Sequence, residues 1–181
     1  MLTIKVPKTE FFDEKSQQFI TIKETKLELE HSLVSLSKWE AKWKKPFLST
    51  DNKSQEESLD YIRCMTVNGG VDPLAYLAIT PQQMQQIQRY IAEPMTATTI
   101  NDRRKGGSKS RDIVTSELIY YWMVAYQIPF ECQKWHLGRL MTLIRVCDVK
   151  NAPSQNIPKS ALMQRNKSLN AARRAKLGTR G

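Results

Sequence analysis

Apolar and polar side chains alternate at the start of the chain. Leu2, Ile4 and Val6 are separated by Thr3 and Lys5, a period of two that predicts a short, half-buried strand ending at Pro7. Phe19–Ile22, across a polar span containing Asp13, Glu14 and Ser16, is its expected hairpin partner. Near residue 30 the period changes. Leu36, Trp39 and Trp43 recur at helical spacing within a helix expected over 32–43, and Pro46 is expected to stop it. A second helix is expected over Glu56–Thr66, with Leu59, Ile62, Arg63 and Thr66 on adjacent positions and Asn68-Gly69-Gly70 as its terminator.

The clearest helix start is Thr80-Pro81-Gln82-Gln83. Thr80 can cap free amides, Pro81 suits the first helical position, and Gln83 sits where a capping box needs it. Met84, Ile87, Tyr90 and Ile91 form the stripe of this helix, and Pro94 ends it. The threonine-rich Met95–Ile100 reads as a short strand. Residues 116–126 are apolar on more than one face (Leu118, Ile119, Tyr121, Trp122, Val124, Ala125), which predicts a central core helix broken by Pro129. A helix over Glu131–Val146 follows, with Leu137, Leu140, Met141 and Ile144 on one stripe, so that Leu140 is expected buried and Arg145 exposed. Pro158 opens and Gly178 closes a further helix in the tail. No internal repeat is present. These elements predict an α+β, α-dominated fold. A helical core with an N-terminal β-hairpin occupies residues 1–152, and a basic C-terminal arm occupies 153–181.

Charge sharpens that division. The 181 residues suit one domain with an appendage, and 28 Lys and Arg against 18 acids give a formal charge of +10. Residues 1–100 hold 12 basic and 13 acidic side chains, and residues 101–152 hold 9 and 5. Residues 153–181 hold seven basic ones (Lys159, Arg165, Lys167, Arg173, Arg174, Lys176, Arg180) and no acid. A segment so poor in large apolar groups buries little alone and is expected to order on a partner. A second basic run, with Arg103, Arg104, Lys105, Lys109 and Arg111 around Gly106-Gly107, reads as a surface loop. Together with Arg165, Lys167, Arg173, Arg174 and Lys176 it is the candidate anion or nucleic-acid contact. No apolar stretch approaches membrane-spanning length, and the first residues lack the apolar core of a secretory signal. Three cysteines are too few for a disulfide scaffold and suggest a reducing compartment.

Candidate catalytic chemistry is sparse. Cys132 and His136, four residues apart on the expected helix, could share a face and begin a zinc site. Cys64 and Cys147 have no spacing to complete it, so the pair reads as a small buried cysteine beside a hydrogen-bonded histidine. Gly69-Gly70 and Gly106-Gly107 lack the Lys-Ser/Thr of a phosphate-binding loop. Glu56-Glu57 sits at a helix start, where it complements the dipole. No catalytic residue, metal ligand or cofactor is assigned, and the expectation is a protein that is not an enzyme.

Four segments carry a family resemblance: the run from His31 to Phe47; Tyr61-Ile-Arg-Cys-Met-Thr66; Ile128-Pro-Phe-Glu-Cys-Gln-Lys-Trp-His-Leu-Gly-Arg-Leu140; and Leu169-Asn-Ala-Ala-Arg-Arg-Ala-Lys-Leu-Gly-Thr179. Across nearly the whole chain the sequence resembles small tailed-bacteriophage proteins described as tail assembly chaperones. The resemblance implies a protein that binds the tape measure protein, the tube or another tail component in the host cytoplasm, without a membrane and with homo-oligomers allowed. The competing reading within that setting is a neck, completion or minor tail protein retained in the virion. Binding a helical tape measure calls for an apolar strip between helices. The candidate faces are Leu36, Trp39 and Trp43, and Leu137, Leu140 and Ile144, although at least one must close the chain's own core. Leu162 and Leu169 offer a third contact on the arm. For that arm the resemblance favours a protein partner over nucleic acid.

Overall fold

The computed structural model describes residues 1–13, 17–100, 113–151 and 159–178. Two compact units are present, Met1–Val149 and Lys150–Gly181. The fold is α+β and helix-dominated, with small antiparallel sheets confined to the N-terminal region.

Strand β1 (Leu2–Val6) forms where the alternation predicts it, but its partner is β4 (Thr25–Leu29), not Phe19–Ile22. Ile4 opposes Leu27 and Leu2 opposes Leu29, so the inward residues of both strands reach one core. Strand β3 (Gln18–Ile22) instead pairs with β2 (Thr9–Asp13) in a separate hairpin. The alternation of Leu27 and Leu29 with Lys26 and Glu28 is as regular as that of β1, and both leucines are fully buried.

Helix α1 (Leu33–Trp43) starts at a Ser32–Ser35 capping box and closes with Lys44 in the left-handed region, two residues before Pro46. Helix α2 (Gln55–Met65) is capped by Ser54, whose partner Glu57 returns a carboxylate to the Ser54 amide at 2.7 Å. It ends at an extended Thr66, before the Asn68-Gly69-Gly70 signal. The chain there runs beside β4, with Glu30 N–H donating to Met65 and Val67 N–H to Glu28. The Asn68 amide accepts from Glu28 N–H and donates to the Lys26 carbonyl, so it acts as an edge pairing group and not as a helix stop.

A 3₁₀ turn (Pro73–Ala78) leads to α3 (Pro81–Ala92), which carries the expected Thr80–Gln83 capping box. Residues 95–100 form no strand: among the described residues no strand pairs with them, and most are exposed. Helix α4 (Ser116–Ala125) is present, but only Ser116, Ile119 and Met123 are buried, so it lies against the core with an open outer side and is not the central helix. The helix expected from Glu131 is interrupted. Phe130–Lys134 is a 3₁₀ turn, Trp135 is extended, and α5 runs Leu137–Asn151. The break lets His136 pair with Ser32, and Leu137 N–H donates to the His31 carbonyl at 2.7 Å. Gly138 follows because a Cβ there would lie 3.0 Å from the Pro94 carbonyl oxygen. In the second unit, α6 (Lys159–Leu177) precedes Gly178, which has a positive φ.

Two apolar clusters fill the first unit. The first joins β1, β3 and β4 to Trp39, Tyr61, Ile62, Met65, Ile87 and Tyr90. The second joins Leu33 and Leu36 to Ile119, Met123, Leu137, Leu140 and Ile144. Helix α1 supplies both, which makes it the wall between them.

Candidate functional site

The faces that the helical spacing offers to a partner are consumed internally. Leu36 and Trp39 are fully buried, in different clusters, and Leu137, Leu140 and Ile144 line the second cluster. Trp43 is half-buried, its indole N–H donating to Asp60 at 2.9 Å beside the Lys42–Asp60 ion pair. Trp39 donates to the Glu57 carbonyl, and Glu57 pairs with Lys45 at 2.6 Å. These contacts join α1 to α2 and leave neither face with an open apolar strip. As expected, Leu140 is buried and Arg145 is exposed.

Where β4 meets α1 and Trp135 meets α5, two buried histidines lie side by side, ring centroids 5.1 Å apart. His31 Nδ1 is hydrogen-bonded to the Tyr61 hydroxyl at 2.6 Å. His136 Nε2 donates to the Tyr90 carbonyl, while its Nδ1 accepts from Gly138 N–H, so its ring hydrogen sits on Nε2. Burial, and then the neighbouring His136, pull His31 down to about 4. Burial pushes the Tyr61 and Tyr90 hydroxyls up, and Tyr90 also donates to Glu30 at 2.7 Å. Every ring nitrogen that these bonds engage faces a protein group, which suits the network to joining elements. Cys132 is buried as expected, but it lies in the 3₁₀ turn and not on one helix with His136. Among the described residues no three His, Cys, Asp or Glu side chains cluster as a metal site. Nor does any buried side-chain polar atom among them lack a partner.

What remains open is apolar surface that the spacing assigns to the core. Along the outer row of α4, Tyr121 is 65% exposed and Val124 61%, with Ala125 beside them. Ile113 and Phe130, at either end of the helix, are also exposed. Next to this row Trp122, Tyr126, Ile144, Arg145 and Asp148 line a cleft of about 260 Å³. The row passed for core because a helix apolar on all sides gives no periodic sign of which side faces outward. The β2–β3 hairpin exposes Phe12 and Phe19, paired across the strands at 5.1 Å between ring centroids. Phe11-Phe12 and Phe19-Ile20 are consecutive apolar pairs, and because neighbours on a strand point to opposite faces, one of each pair must turn from the core: that is the signal that could have found them.

Of the basic candidates, Arg103, Arg104, Lys105, Lys109 and Arg111 lie outside the described residues. Lys167, Arg173, Arg174 and Lys176 are exposed on α6, as is Leu169, while Leu162 and Arg165 lie on the same helix. No described helix is long and apolar enough to cross a membrane. Comparison with family models, with curated proteins and with solved structures finds no match to this chain.

Proposed function

We propose that this chain is a non-enzymatic tail assembly protein of a tailed bacteriophage, acting in the host cytoplasm by binding the tape measure or another tail component. Two lines support the reading. The four segments quoted above resemble tail assembly chaperones. The observation that carries the contact is the outer row of α4, where Tyr121 and Val124 stand exposed on a helix whose other side is buried through Ile119 and Met123. Contiguous exposed apolar surface, unlike scattered single residues, marks an interaction site, and here Tyr121, Val124 and Ala125 adjoin one another on one helix side. A tape measure segment would lay its own apolar stripe along that row, with anchors three and four residues apart. The contact therefore moves from the α1 and α5 faces, which close the core, to the side of α4 that faces away from it.

The test is binding of the purified chain to the tape measure protein encoded in the same tail gene cluster. Tyr121→Ser with Val124→Ser should weaken it at least tenfold while the melting curve stays within a few degrees of wild type. Full binding by that variant would remove the α4 row from the site. Absence of binding to any tail component would defeat the assembly reading itself.

A further inference from the structure

Helix α6 is 19 residues of continuous helix in a segment, Lys150–Gly181, that contains no acid. Its residues do not mix evenly around the axis. At 3.6 residues per turn, Lys167, Arg173, Arg174 and Lys176 fall within about half of the circumference. Ser160, Gln164, Ser168, Ala171, Ala172 and Ala175 share the other half, whose one charge, Arg165, falls at its edge next to the position of Lys176. Within the basic half Asn166 and Asn170 lie nearest the middle, Arg173 and Lys176 toward one edge and Arg174 and Lys167 toward the other, with Met163, Leu169 and Leu177 interspersed. The side chains named in the basic half are all exposed.

Each kind of anionic partner demands something different of such a helix. A membrane surface needs an apolar half, and the half opposite the charges here is alanine, serine and glutamine. An apolar protein groove needs anchors at i, i+3, i+4 and i+7. Leu162 and Leu169 are seven apart, but Arg165 and Asn166 occupy the positions between them. Leu169 is followed at those offsets by Ala172, Arg173 and Lys176, and Met163 by Asn166, Lys167 and Asn170, so no row holds more than two anchors. The major groove of A-form RNA is too narrow and deep for side chains to read. B-form DNA fits. Its major groove admits a helix, its phosphates line both walls, and its base edges take amide and guanidinium groups along the middle.

The geometry points to α6 as a helix that binds duplex DNA, with Lys167, Arg173, Arg174 and Lys176 on phosphates of the two groove walls and Asn166 and Asn170 turned to the groove floor. This site is separate from the tail-component contact, which belongs to the Met1–Val149 unit.

The experiment uses the full chain and a fluorescently labelled, mixed-sequence DNA duplex of 24 base pairs, with anisotropy read from 50 to 200 mM salt. Four phosphate contacts give a log–log salt slope near −3.6, so binding should weaken roughly 150-fold across that range. Lys167→Gln, Arg173→Gln, Arg174→Gln and Lys176→Gln together should flatten the slope by about that amount. A control removes the same charge elsewhere: Lys5→Gln, Lys8→Gln, Lys23→Gln and Lys134→Gln, all at exposed sites of the first unit. Retained binding and slope in the control support the assignment. Equal loss in both variants would reduce the effect to net charge and overturn it. Tighter binding to polyglutamate than to the duplex would assign α6 to an acidic protein, and no duplex binding at 50 mM salt would end the proposal outright. The Tyr121→Ser, Val124→Ser variant should bind DNA like wild type, which keeps failure of this site distinct from failure of the tail-assembly reading.

Discussion

Glu40 holds α4 in place, and its removal should be among the most damaging single changes to the first unit. The side chain is 7% exposed at the end of α1. One carboxylate oxygen accepts from Phe47 N–H at 2.8 Å, the other from Ser116 N–H at 2.7 Å. Ser116 is the first residue of α4, so its amide is one of the donors that a helix start leaves without an internal partner. The Thr115 hydroxyl accepts from Leu118, and Glu40 takes the amide that Thr115 does not. A hydrogen bond to a charged group contributes about 1.5–3 kcal/mol, so the two together suggest about 3–6 kcal/mol. A cleft of about 320 Å³ lined by Glu40, Ala41, Lys44 and Thr115 lets water reach the site and favours the low end. Glu40→Ala should therefore cost about 3 kcal/mol and lower Tm by about 10 °C, as 2–4 °C per kcal/mol is usual for this size. Glu40→Gln preserves the shape but leaves only one acceptor oxygen for two donors, and should fall between alanine and wild type. Urea unfolding followed by tryptophan fluorescence measures both. A cost below ~1 kcal/mol for alanine, or glutamine as stable as wild type, would refute the argument.

Other predictions follow from single contacts. Leu140→Ala should cost roughly 2–5 kcal/mol through lost burial and the cavity left behind, and an unchanged melting curve would place Leu140 outside the core. Because His31 is held at about 4 in the folded chain and near 6.5 when unfolded, the unfolded state binds more protons between those values. Its contribution, at most about 3 kcal/mol, is complete above pH 6.5 and is lost as pH falls toward 4. Urea midpoints for wild type and His31→Gln should converge over that window, and parallel pH profiles would sink the assignment. Thr80→Ala removes the cap of α3 and should cost about 1 kcal/mol, read as a shifted urea midpoint with an unchanged slope; no shift would mean that the Thr80 hydroxyl contributes nothing to the helix start.

Local rules wrote much of this fold into the chain. The alternation of Leu2, Ile4 and Val6 marks β1, and the Thr80-Pro81 start with Gln83 marks α3, because each element draws on residues within one turn or one pleat of itself. The acid-free composition of residues 153–181 can likewise be read without a fold, whereas the division into compact units, which falls after Val149, cannot.

Pairing and exposure were decided at longer range. Which strand joins β1 depends on which apolar set best shares a core with Ile4 and Val6: β4 buries both Leu27 and Leu29 there, whereas β3 buries only Ile22. The helix expected from Glu131 breaks at Trp135 because His136 meets Ser32 and Leu137 meets His31, residues about a hundred positions earlier. The sides of α4 are alike in composition, so only the position of the second cluster makes Ile119 and Met123 core and Tyr121 and Val124 surface. A periodic stripe tells which residues of one helix face the same way. It does not say what they face, because burial belongs to the neighbour that covers them, and the neighbour is brought by the rest of the chain.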